Sequence, residues 1–154
     1  MSQQQKQTKE LRIVTRPVIT IDSIRNDESK IRLLYIIKHL ESISEKALIN
    51  LVYLLQTESK VKFKYSFTTI GGIPFSKELK DDINILLYLG LVETDAVTRK
   101  LKLTSNGLEF LEKNPLNQEE LNSLISSVDG LKSKVSVIEA EIDLTTRKVR
   151  SVKR

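Results

Sequence analysis

Apolar residues recur at helical spacing in several stretches of the chain. Ile31, Leu34, Ile37 and Leu40, with Leu33 and Ile36 beside them, predict a first helix that opens at Asn26-Asp27-Glu28. A second helix starts near Ser44, with Glu45 in its first turn, and runs through Ala47, Leu48, Leu51, Leu54 and Leu55. The stretch Lys60 to Phe67 then changes period to two. Val61, Phe63, Tyr65 and Phe67 share one face and Lys60, Lys62 and Lys64 the other, as in a strand. Gly71-Gly72 breaks the chain. A third helix is expected from about Phe75 to Leu89, with Pro74 at its threshold, Ser76 as cap, and Leu79, Ile83, Leu86 and Leu87 inward. Gly90 ends it. Leu91 to Glu93 and Arg99 to Thr104 flank a polar connection and read as a hairpin without a turn glycine. A short helix over about Ser105 to Lys113 closes the unit at Pro115.

Beyond Pro115 the pattern becomes one long helix. Leu121, Leu124, Val128, Leu131, Val135, Ile138, Ile142, Thr145, Val149 and Val152 follow unbroken steps of three and four. The β-branched residues fall at a and the leucines at d, which favours a parallel two-stranded coiled coil and hence a homodimer. Lys134 at g would then face Glu139 at e of a second copy. The dimerisation residues expected are Leu121, Leu124, Val128, Leu131, Val135, Ile138, Ile142 and Val149. The other reading is a single helix folded back on its own body; the narrow, regular seam favours the intermolecular one. Val137 and Leu144 fall outside the seam and could pack on the body or on a partner.

Three segments result: 1–25, a polar arm in which residues 11–25 around Pro17 read as extended chain or an edge strand; 26–115, a compact α+β unit; and 116–154, the coil. The class is mainly α, of α+β type.

Composition narrows the chemistry. The chain has 154 residues, no Cys and one His. That leaves no thiol nucleophile and no disulfide, and argues against a structural zinc site, a metal or another cofactor. His39 falls at the end of the first helix, where it can cap carbonyls, and has no recognisable catalytic partner. Asp81 and Asp82 are neighbours on a helix, about 100° apart, and do not make a catalytic dyad. Gly71-Gly72 is not a phosphate loop, because no Gly-Lys-Ser/Thr follows. An enzyme is therefore not expected. No stretch approaches a membrane span and the N-terminus lacks a signal-like apolar run, so a cytoplasmic protein is expected.

The net charge is +5 and the pI about 9.4. The last eight residues hold five bases and no acid, so the preceding 146 balance at 20 of each sign. A basic tip can track phosphates; it can also complement a helix dipole.

One resemblance adds to this reading. Pro74-Phe-Ser-Lys-Glu-Leu, then Leu89-Gly-Leu-Val92, then Lys102-Leu-Thr-Ser-Asn-Gly107 resemble archaeal winged-helix DNA-binding proteins, over roughly residues 28–112. Leu51-Val-Tyr-Leu-Leu-Gln56 is similar to their second helix. Such proteins often carry a coiled-coil dimerisation helix after this unit, as PadR-like regulators do. The resemblance implies a winged helix-turn-helix fold, double-stranded DNA as partner, and a role as transcriptional regulator or chromatin-associated factor on the nucleoid. It makes the third helix the recognition helix, with Ser76, Lys77, Lys80 and Asn84 at its front and Arg99, Lys100 and Lys102 on the wing. The basic tip, Arg147, Lys148, Arg150, Lys153 and Arg154, would add phosphate contacts. A solvated helix face and ordinary strand solubility explain the same lysines. The third helix is also net acidic, which suits a protein-interaction module assembling a larger complex.

Overall fold

The computed structural model describes the backbone of residues 19–153, and the side chains through Glu141 together with Leu144. Four of its helices begin where a side-chain oxygen accepts an amide that the helix itself leaves unpaired. Asp27 accepts from Lys30 N at 3.3 Å and opens α1, Glu28–Leu40. Ser44 accepts from Ala47 N at 3.2 Å and opens α2, Glu45–Thr57. Ser76 accepts from Leu79 N at 3.2 Å and opens α3, Lys77–Tyr88. Thr104 accepts from Gly107 N at 3.0 Å and opens α4, Ser105–Lys113. The last helix, α5, spans Gln118–Lys153; the Asn117 side chain accepts from Glu119 N at 2.8 Å at its start.

Two small antiparallel sheets lie between the helices. β1 (Thr68–Ile70) pairs with β2 (Ile73–Phe75) just before α3. β3 (Val92–Thr94) pairs with β4 (Leu101–Leu103) just after it. Ile43, in the α1–α2 connection, adds a bridge to the second sheet. Its N–H donates to Leu101 O at 3.0 Å, and Leu101 N–H donates to Ile43 O at 2.8 Å. The described fold is thus mixed α+β, with five α-helices, two antiparallel sheets and a long C-terminal helix. No described helix is long and apolar enough to cross a membrane.

The core is aliphatic. Leu34, Ile37, Leu51, Leu79, Ile83 and Leu86 are at most 2% exposed. The first half of α5 belongs to the same core and lies mainly against α2, and also touches α1. Leu124, Val128, Leu131 and Val135 are 0–6% exposed within the single chain, and Leu121 and Ile138 are half-buried beside them. Burying four such side chains supplies about 6–12 kcal/mol of transfer free energy. Polar contacts line the same docking face. Glu120 lies 3.7 Å from Arg32, Asp129 2.8 Å from His39 and Lys134 3.2 Å from Glu58, and Glu139 Oε2 accepts from Ser44 N at 3.0 Å.

This corrects the coiled-coil reading. The seam from Leu124 to Val135 is spent on the body of its own chain and is not free for a second copy. Lys134 pairs with Glu58, and Glu139 with the start of α2, rather than with each other across a dimer. The side chains of Ile142 and Val149 lie outside the described residues. Two strand expectations also change. Residues 60–67 alternate in burial as expected but join no ladder. Of the N-terminal arm, Ile21–Ile24 form a short 3-10 helix with a reciprocal cap between Thr20 and Ser23; the arm before residue 19 lies outside the described residues.

Candidate nucleic-acid interface

The placement of α3 decides what its surface can touch. Leu79, Asp82, Ile83 and Leu86 form its inner face. Lys77, Asp81, Asn84 and Tyr88 recur at helical spacing on the opposite, exposed face.

A buried polar cluster fixes this orientation. The Lys30 ammonium lies 2.6 Å from Asp27 Oδ2 and 3.1 Å from Asp82 Oδ1. Tyr65 donates its hydroxyl to Asp82 Oδ2 at 2.7 Å. Lys64 reaches the same carboxylates at 3.2 and 3.5 Å. Four residues of alternating sign and one phenol therefore tie α1, the 60–67 segment and α3 together. Burial by itself lowers the pKa of Lys30, but hydrogen bonds to Asp27 and Asp82 outweigh it and hold the ammonium above its ordinary value. Burial by itself raises Asp27, but its bonds from Lys30 and Lys64 bring it below the usual carboxylate range. Burial, then the bond to Asp82, pushes the Tyr65 phenol far upward. The sequence does carry a signal for this cluster: Asp82 sits among Leu79, Ile83 and Leu86 at inward spacing, an acid on an apolar face.

The expected DNA-contacting residues separate into groups. Ser76 is 1% exposed, with its hydroxyl engaged at the α3 cap and on Glu78 at 3.0 Å, so it is not available to a ligand. Lys77 is exposed and pairs with Asp81 at 3.2 Å, one turn on. Lys80 turns toward α2 and pairs with Glu45, away from the outer face. Asn84 is exposed between Asp81 and Tyr88.

In the β3–β4 hairpin, Asp95 builds the turn. Its carboxylate accepts from Val97 N and Thr98 N at 2.8 and 2.9 Å, and those two bonds hold its pKa low. Its backbone closes the loop, with Asp95 N donating to Lys100 O and Arg99 N donating to Asp95 O, both at 2.8 Å. Arg99 supplies the left-handed backbone, φ +64°, that a glycine would otherwise provide, and its side chain is exposed. Lys102 lies 3.6 Å from Asp95. The tip residues Arg147, Lys148, Arg150, Lys153 and Arg154 have no described side chains.

Charge along the chain is uneven. Residues 19–141 hold 16 basic and 18 acidic side chains. The excess positive charge therefore sits in the first 18 residues and in the last 13. His39 does not cap α1; its Nε2 meets Asp129 of α5, and that hydrogen bond, more than any other influence, lowers the Asp129 pKa. Comparison with protein families, with curated proteins and with solved structures finds no match to this chain.

Proposed function

We propose that this chain is a winged-helix protein that binds double-stranded DNA, as a transcriptional regulator or a chromatin-associated factor on the nucleoid. The observation that carries the reading is the two-bond exchange between Ile43 and Leu101. It ties the α1–α2 connection to the edge of the β3–β4 hairpin by a single antiparallel bridge. The order along the chain is then helix, bridge, helix, the β1–β2 hairpin, helix and a second two-stranded hairpin that would serve as the wing, with the outer face of α3 open to solvent. In this reading Lys77 and Asn84 face the groove and Arg99 and Lys100 approach the backbone from the wing. The body of residues 19–141 is net negative, so the phosphate attraction comes from the two basic ends of the chain, residues 1–18 and 142–154.

The test is duplex binding by fluorescence anisotropy over a salt series. The full chain is compared with one in which Arg147, Lys148, Arg150, Lys153 and Arg154 are all glutamine. Affinity should fall steeply with salt, and the variant's log–log slope should be shallower by about 0.9 for each phosphate it no longer neutralises. No binding by the unmodified chain at low salt overturns the reading.

A second reading, a winged-helix module that binds protein, is favoured by one observation. Lys77, Lys80 and Lys102 are each paired with an acid of the same chain. A stable heteromeric complex from a pull-down, with no DNA footprint, would support it.

A further inference from the structure

The β1–β2 hairpin exposes an apolar face that the other described residues do not cover. The register pairs Thr68 with Phe75, Thr69 with Pro74 and Ile70 with Ile73. Thr68, Ile70, Ile73 and Phe75 therefore share one face, on which Ile70 is 66%, Ile73 47% and Phe75 39% exposed. Gly71 and Gly72 have φ of +59° and +82°. Two positive angles in a two-residue loop are the backbone of a tight hairpin turn with the strands' own twist. Such a turn makes Ile70–Ile73 the hydrogen-bonded pair. Thr69 and Pro74, in the next pair, then turn their backbone groups outward.

The two outer edges differ. Pro74 has no N–H to offer, and β2 lies along α2. The β1 edge has neither safeguard, and Thr69 presents both a donor and an acceptor. Exposed edges are ordinarily guarded by charge. Here Ser66 to Ser76 contains no charged side chain, in a chain that is 29% charged.

We propose that β1 is the docking edge for a second copy of this chain. Two β1 strands pair antiparallel about a two-fold axis at Thr69, and the hairpins merge into a four-stranded sheet with one continuous apolar face. The absence of charge argues for a second copy rather than a foreign strand. A two-fold interface brings each residue near its own counterpart, where any charge would meet its like. Thr69 then sits opposite Thr69, a favourable cross-strand pair, and Ile70 lies diagonal to Ile70. Three-residue strands make a small interface, so the dimer is a weak one.

The experiment is sedimentation of the full chain from low micromolar to millimolar concentration. The weight-average mass should rise from 17.6 kDa toward twice that value. Ile70→Lys and Ile70→Glu should each remain monomeric, and an equimolar mixture of the two should recover the dimer. Ile70 lies outside the core, so both variants should keep the thermal midpoint of the parent. A mass that stays constant with concentration overturns the proposal. So does a dimer that persists in Ile70→Lys, or a mixture of the two variants that stays monomeric.

Discussion

Tyr65 and Asp82 are joined by a 2.7 Å hydrogen bond that runs from a segment without secondary structure to the inner face of α3. The bond is buried, and Lys30 completes it from α1. The helix proposed to face DNA is thus held from behind by a polar bolt inside an aliphatic core.

Removing Lys30 leaves the Asp27 and Asp82 carboxylates with only the half-exposed Lys64 as counter-charge. Lys30→Met should cost about 3–5 kcal/mol, the range for a broken buried ion pair. Adding Asp82→Leu to Lys30→Met should restore part of that loss. Urea unfolding at neutral pH measures both.

The same cluster sets the pH dependence. Lys30 and Tyr65 have pKa values raised by folding. The stability they contribute is complete below their unfolded values, near 10, and is lost as pH rises beyond them. Asp27 is lowered, so its contribution is present above its unfolded value, about 4, and is lost as pH falls. Stability should therefore be flat around neutrality and fall at both ends. In Tyr65→Phe the alkaline decline should be shallower, which urea midpoints from neutral pH to about pH 11 would show.

Gly107 is required by close approach. A Cβ at this position would lie 2.3 Å from the carbonyl oxygen of Leu91 and 2.9 Å from Leu103 Cγ. Gly107→Ala should destabilise by about 1–3 kcal/mol, although alanine is the better helix former. A thermal melt is sufficient to detect it.

Leu124 tests the role of α5. Leu124→Ala should lower stability by about 2–5 kcal/mol and leave the sedimentation of dilute protein unchanged. A shared coiled coil would instead lose association.

Farther along α5, His39→Ala should move the Asp129 titration upward, toward the ordinary carboxylate value. An NMR titration of the Asp129 carboxyl group reads this directly.

Local chemistry was the most legible part of the sequence. Asp27, Ser44, Ser76 and Thr104 all cap helices as their positions suggest, because an N-cap depends on a few adjacent residues. Periodicity was less complete. It shows which side of α5 is apolar and not what that side meets, since a seam looks alike against a copy or against its own body. Alternation over 60–67 likewise reports two faces, whereas a strand also needs a neighbour for its backbone. The β1–β2 hairpin is hard to see because its strands are three residues long, and Gly71-Gly72 reads only as a break. On the candidate interface, residue types were visible but their pairings were not. Lys80 meets Glu45, 35 residues away, and no spacing rule connects them.

The docking of α5 also has a temporal consequence. Its polar ties reach back over long stretches of chain: 90 residues from Asp129 to His39 and 95 from Glu139 to Ser44. At ordinary translation rates of about 5–20 residues per second, α1 and α2 emerge roughly 5–20 s before the helix that covers them. During that interval their leucine-rich sides stand open to other nascent chains. Docking of α5 ends that exposure, so the body of α1 and α2 is completed only by a segment that follows it far along the chain.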